Sequence, residues 1–237
     1  MKIDIYNHVM PMAYLEQMKH LSKDAGIVKR MLGVRLMWDI EARVQMLERF
    51  PDVQQALTLG LPAPELLGGP ELSPGLAQIA NDGMAEIRDR WPKKFPAFVA
   101  SLPMNNVPAA LEEMDRAVTK LGACGIQFLT NVNGRPLDDP EFFPLFERIT
   151  NQYGLPIWMH PYKSPNIPDY PVEAKSEYEG GTGLAARIER RDGPLGLFRD
   201  VRSTSKITNH HSPLRRNDSA PARPRWPYVG RVGRARR

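Results

Sequence analysis

Two histidines stand where a fold could bring them to one point. His8 follows the alternating segment Ile3-Asp4-Ile5-Tyr6, and His160 follows the apolar run of residues 155–159. Neutral imidazole is the commonest protein ligand for zinc and related divalent ions, so two strand-end imidazoles could share a metal. Each could equally be a core or loop histidine satisfied by hydrogen bonds, and the spacing alone leaves both readings open. Other reactive groups offer less. The single cysteine, Cys124, excludes an internal disulfide framework and a Cys-cluster zinc site, and beside an apolar strand it reads as inert. No Ser-His-Asp order and no Walker-type loop stands out. Arg30 and Arg35 could clamp a substrate carboxylate or stand as exposed charges, and His20, beside Lys19, reads as a surface residue. Met10, Met12, Met18, Met31, Met37 and Met46 read as core or pocket lining.

The elements that must position the two histidines follow from periodicity. Residues 3–6 alternate as a short strand running into a loop at Asn7-His8. Asp39 caps a helix over 40–47 that stops before Pro51. Residues 53–59 read as a strand, and the Pro- and Gly-rich stretch 60–75 as a long connection. A helix over 76–91 carries Leu76, Ile79, Ala80, Met84 and Ile87 on one face. Residues 95–102 form a buried strand. Asn105 or Asn106 caps the next helix, which has Pro108 near its start and Leu111, Met114, Val118 and Leu121 on one face, and ends at Gly122. Residues 125–129 are a strand and 130–134 a loop. Asp138 or Asp139 with Pro140 opens a helix whose stripe is Phe142, Leu145, Phe146, Ile149 and Tyr153, with Gly154 as its C-cap. A fifth strand, 155–159, delivers His160.

Strand-helix repetition at this spacing predicts an α/β protein of parallel βα units. No glycine-rich fingerprint follows the first strand, which favours a TIM-type (β/α)8 barrel over an open dinucleotide-binding sheet. Strands one and five of such a barrel face each other across a mouth where barrel enzymes keep their chemistry.

Charge divides the chain. Residues 1–179 hold 18 Lys and Arg against 23 Asp and Glu, whereas residues 180–237 hold 14 basic residues, 13 of them Arg, against 4 acidic ones. The overall net charge of +5 thus belongs to the last quarter, and the mildly acidic first part offers no electrostatic case for nucleic acid. No run of eighteen apolar residues predicts a membrane helix. The N-terminal segment lacks an apolar signal core, so a cytoplasmic location is expected.

Segments IDIYNHVMP, NDGMAEIRDRWPKKFPAFVASLPMNN, ALEEMDRAVTKLGACGIQFLTNVNGRPLDDPEFFPLFERI and GLPIWMHP resemble the amidohydrolase-related metal enzymes. The branch they are most similar to includes aminocarboxymuconate-semialdehyde decarboxylase and aromatic-acid decarboxylases. The resemblance spans about residues 1–179 and implies a metal-dependent (β/α)8 barrel. It implies a divalent cofactor, zinc first and manganese second, and an unsaturated or aromatic carboxylic acid as small-molecule substrate. A homodimer is compatible with it. The implied reaction is decarboxylation, with hydrolysis by the same metal hydroxide as the alternative. In the family the first strand ends in His-x-His or Glu-x-His. Here Tyr6-Asn7-His8 supplies the second ligand, His8, and puts Tyr6 at the first, where a phenol is a poor neutral-pH ligand. His160 matches the fifth-strand ligand. His211, in the string Ser205-Lys206-Ile207-Thr208-Asn209-His210-His211, matches the proton-transfer histidine. The family's strand-eight Asp has no counterpart.

The resemblance breaks after Glu179. Residues 180–237 read as an Arg/Pro-rich tail, disordered or out of frame, so the barrel is expected to be incomplete, lacking strands seven and eight. An inactive truncated remnant and a basic-tail nucleic-acid binder are the competing expectations. The tail's scattered Phe198, Trp226 and Tyr228 argue against the second.

Overall fold

The computed structural model describes residues 1–162. In chain order these form β1 (Lys2–Val9), α1 (Met12–Leu21), α2 (Ala25–Gly33), α3 (Arg35–Trp38), α4 (Ile40–Glu48), β2 (Val53–Leu59), α5 (Pro64–Leu67), α6 (Ser73–Arg90), β3 (Ala97–Phe98), β4 (Ala100–Ser101) and α7 (Val107–Thr119). There follow β5 (Ile126–Leu129), the short pair β6 (Asn131–Val132) and β7 (Arg135–Pro136), a 3-10 turn (Pro140–Phe142), α8 (Phe143–Glu147), a π turn (Arg148–Tyr153) and β8 (Ile157–His160). None of the helices among the described residues is long and apolar enough to cross a membrane.

The main strands all pair in parallel, in the orders β1-β2-β3 and β4-β5-β8. Only Val99 separates β3 from β4. Its amide donates to the Leu57 carbonyl (2.8 Å), and the Ala100 amide donates to the Gly125 carbonyl (2.9 Å). Residues 97–101 thus join β2 on one side to β5 on the other. The strands run side by side in chain order with helical connections between them, which is the predicted α/β pattern of parallel units.

Local chemistry explains most boundaries. The Asp39 carboxylate accepts from the Ala42 amide (2.9 Å) and starts α4. Of the two candidates before α7, Asn106 is the cap, accepting from the Ala109 amide (3.2 Å). Asp139 caps the 3-10 turn, and Gly154 ends the π turn with φ +59°. Three expectations need correction. The strand expected over 95–102 is two short pieces around Val99. The expected loop 130–134 contains most of a hairpin, because Asn133 (φ +51°) and Gly134 (φ +87°) form the two left-handed positions of a tight turn. On α7 the buried face is Val107, Ala110, Glu113, Met114 and Ala117, with Leu111, Val118 and Leu121 only partly covered. The buried Glu113 belongs there because Asn81 Nδ2 (2.7 Å) and Arg116 Nε (2.7 Å) both donate to its carboxylate.

The core lies between the sheet and its helices. Tyr14, Leu15 and Met18 of α1 and Leu76, Ala80 and Met84 of α6 belong to it, together with Phe98, Phe128 and Phe142. Of the six methionines read as lining, Met10 and Met18 are fully buried, whereas Met12 is half exposed. Cys124 is largely buried and desolvation raises its thiol to about 11, in keeping with an inert residue.

Candidate metal centre

β1 reaches further than expected. His8 is inside the strand, paired in register with Thr58 of β2, and not in a loop after it. His160 is the last residue of β8, paired with Leu129 of β5. The alternation expected in β1 fails because the ladder slips by one residue between Asp4 and Asn7. Ile5 and Tyr6 occupy that bulge, and the Asp4 carboxylate holds it by accepting from the Tyr6 amide (3.0 Å).

The bulge turns two groups toward β8. The Ile5 carbonyl accepts from the Trp158 indole Nε1 (2.8 Å), and the Tyr6 hydroxyl donates to the Met159 carbonyl (3.0 Å). These cross-links run between the first and last strands of the parallel array among the described residues. They bring the His8 and His160 rings together, with centroids 4.9 Å apart and planes inclined by 45°. The two histidines singled out in the sequence thus lie side by side.

Hydrogen bonding assigns the tautomers. Thr58 Oγ1 donates to the Asn7 carbonyl, so its remaining capacity toward His8 Nδ1, 2.8 Å away, is to accept. The proton of His8 is placed by this on Nδ1. His160 Nδ1 is 2.8 Å from the Pro161 carbonyl, which can only accept, so its proton is on Nδ1 as well. Both rings are left with Nε2 as the lone-pair nitrogen. Burial and the neighbouring His160 lower His8 to about 4, and burial lowers His160 too. At neutral pH both are uncharged imidazoles.

A buried polar lattice supports His8. Arg43, almost wholly buried, donates through NH1 to the His8 carbonyl (2.5 Å), through NH2 to Asn7 Oδ1 (2.5 Å) and through Nε to Gln55 Oε1 (2.8 Å). Asn7 Nδ2 donates to the Ala56 carbonyl (2.6 Å), and Gln55 Nε2 to Asp4 Oδ2 (3.1 Å). Desolvation lowers Arg43 to about 10, so it remains a cation. No motif in the sequence marks Arg43, Thr58 or Asn7 as functional. The available signals were the position of Arg43 four residues before the buried Leu47, and the identity of His8's cross-strand neighbour.

The donor set fits a divalent ion in part. Two neutral imidazoles whose Nδ1–H groups are held by oxygens, with Nε2 unprotonated, are the form that ligates metal. Among the described residues no group of three or more His, Cys, Asp or Glu side chains is gathered. Tyr6 reaches the same end of the sheet but is exposed, with its hydroxyl engaged by Met159. His211 lies outside the described residues. Arg35 pairs with Asp39 (2.7 Å) at the surface, and His20 is exposed.

Comparison with known proteins gives this geometry a family. The profile described as Amidohydrolase matches residues 3–197. Over 130 residues the chain is 36% identical to 2-amino-3-carboxymuconate-6-semialdehyde decarboxylase of Dictyostelium discoideum, covering 53% of this chain and 34% of that protein. It superposes on 5-carboxyvanillate decarboxylase from Sphingomonas paucimobilis with a TM-score of 0.66 and 25% identity, covering 84% of this chain and 64% of the other. A dihydroxybenzoic acid decarboxylase from Polaromonas sp. JS666, solved with bound manganese, shares the fold at a TM-score of 0.55 and 24% identity, over 68% and 49% of the two chains. The chain spans about a third to a half of the length of the curated relatives it matches. With a profile match over most of its length and the parallel βα architecture to go with it, the chain belongs to the amidohydrolase family.

Proposed function

We propose that this chain carries part of a metal-dependent decarboxylase site for an unsaturated or aromatic carboxylic acid, in which His8 and His160 hold a divalent cation. The observation that carries the reading is the meeting of two neutral imidazoles, from the first and last strands of the array, each with Nδ1–H committed to an oxygen. The parallel units belong, on this reading, to a (β/α)8 barrel, with His8 and His160 at its mouth.

When bound, a zinc or manganese ion supplies a Lewis acid for substrate oxygens and a water of lowered pKa. The residues do the remainder. Arg43 and Asn7 fix the β1 backbone at His8, and Thr58 fixes the ring's tautomer. Trp158 and Tyr6 hold β8 against β1 so that both imidazoles face one ligand. Tyr6 joins the ligand set only by giving up its bond to Met159. His211 is the proposed proton carrier. The manganese of the Polaromonas relative, and the unsaturated and aromatic carboxylic acids named for the others, support the choice of metal and substrate class.

The test is a titration of metal-stripped full-length chain with Mn2+ and Zn2+, followed by carbon dioxide release from 2,6-dihydroxybenzoate and 5-carboxyvanillate. One metal per chain, lost in both His8→Ala and His160→Ala, and metal-dependent release of carbon dioxide are expected. Failure of the unaltered chain to bind either metal overturns the reading.

A further inference from the structure

The proton position on His160 depends on a single peptide unit. His160 Nδ1 bonds the carbonyl of Pro161, the next residue, across 2.8 Å. The ring of Pro161 locks its own φ, so that carbonyl turns only through ψ of the same residue. The same rotation turns the Tyr162 amide, because the peptide between them is trans and planar, with C=O and N–H pointing in opposite directions. Whatever holds the Tyr162 N–H therefore aims the Pro161 carbonyl.

Thr130, just past the end of β5, holds it. The Tyr162 amide donates to Thr130 Oγ1 (2.9 Å), and the same hydroxyl donates to the Tyr162 carbonyl (3.1 Å). A hydroxyl has one proton and two acceptor sites, so both bonds are made at once. Thr130 is itself seated by the ladder, its amide donating to the His160 carbonyl (3.0 Å) one step beyond the Leu129–His160 pair. Asn131, which is buried, adds a second hold. Its Nδ2 donates to the Tyr162 carbonyl (3.0 Å), while its Oδ1 accepts from the Gly134 amide in the hairpin turn (2.8 Å).

We propose that Thr130 is a positioning residue for His160. By gripping Tyr162 it points the Pro161 carbonyl at Nδ1 and leaves Nε2 as the lone-pair nitrogen, with Asn131 bracing the grip. The two imidazoles are thus set by one device used at two ranges. Thr58 touches His8 directly, whereas Thr130 acts on His160 through one intervening peptide. The assignment rests on the reading of His160 as a metal ligand for its purpose, and the tautomer itself is measured without metal.

The experiment follows the ring nitrogens of His8 and His160 by nitrogen NMR in metal-free full-length chain at mildly alkaline pH, and then titrates the same samples with Zn2+. The unaltered chain is expected to carry His160 in the Nδ1–H form, with the Tyr162 amide protected from hydrogen exchange. Thr130→Val, which keeps the shape and removes the hydroxyl, is expected to give His160 a mixture of tautomers while His8 keeps its own. Zinc affinity is expected to fall about 10–100-fold with it. Thr130→Ser is expected to restore the single tautomer and most of the affinity. An Nε2–H form of His160, or an unprotected Tyr162 amide, in the unaltered chain overturns the assignment without need of a variant. A His160 tautomer unmoved in Thr130→Val overturns it too, as does a shift of His8 and His160 together, the mark of a general loosening of the sheet. A tautomer that responds to Thr130 in a chain that binds no zinc supports this assignment and overturns the metal reading alone.

Discussion

The Trp158 indole donates to the Ile5 carbonyl across 2.8 Å, linking β8 to the bulge in β1. The same indole packs so closely on Gly125 that a Cβ there would come within 2.4 Å of its ring. Trp158 therefore fixes where His160 stands relative to His8. Trp158→Phe is expected to lose about 1 kcal/mol from the hydrogen bond and to weaken metal binding more than overall stability. Gly125→Ala, which forces the ring aside, is expected to cost about 1–3 kcal/mol as overpacking. Chemical denaturation of both variants, beside metal titration of the first, checks this.

Thr58 is the residue that decides which nitrogen of His8 carries the proton. Thr58→Val keeps the shape but removes the acceptor for Nδ1–H and the donor to the Asn7 carbonyl. Metal affinity is expected to fall about 10–100-fold, the usual effect of losing an outer hydrogen bond to a ligating imidazole. Thr58→Ser is expected to restore most of it. Equal affinity for Thr58→Val and the unaltered chain would remove Thr58 from the site.

Arg43 is a buried cation whose donors satisfy four oxygens, on His8, Leu36, Asn7 and Gln55. Arg43→Met leaves those acceptors, and Asp4 behind Gln55, without their cation. The expected loss is about 3–5 kcal/mol, as when one partner is removed from a buried charge network. Arg43→Lys is expected to recover only a fraction, since an ammonium cannot match the fork of a guanidinium. Thermal and urea unfolding of the metal-free variants measures both.

The pH dependence of stability separates Glu65 from His8. Glu65 is raised from an ordinary value near 4.5 to about 7. Between these values the folded chain holds more protons than the unfolded one, so this residue's contribution is present below 4.5 and is lost as pH rises toward 7. His8 is lowered from 6.5 to about 4. There the unfolded chain holds more protons, so its contribution is present above 6.5 and is lost as pH falls toward 4. Glu65→Gln is therefore expected to gain stability over the unaltered chain progressively from pH 4.5 to 7, and His8→Gln to gain as pH falls from 6.5 to 4. Melting curves of metal-free protein across that range show whether the two differences run in opposite directions.

The sequence by itself determined the parallel βα rhythm, the Asp39 cap, an asparagine cap at 105 or 106, the end of the last helical run at Gly154, and His8 and His160 as candidates at strand ends. These are properties of short windows, in which periodicity, left-handed glycine and side-chain capping act within a few residues. Only the tertiary structure decided that β1 carries a bulge at Ile5-Tyr6, that Trp158 and Tyr6 link β8 to β1, that His8 and His160 meet, that Asn106 rather than Asn105 is the cap, and that Arg43, Thr58 and Glu65 are buried. Each of those depends on a partner from a distant strand or loop. Burial of a charge is settled by what the whole fold packs around it, which no local pattern encodes.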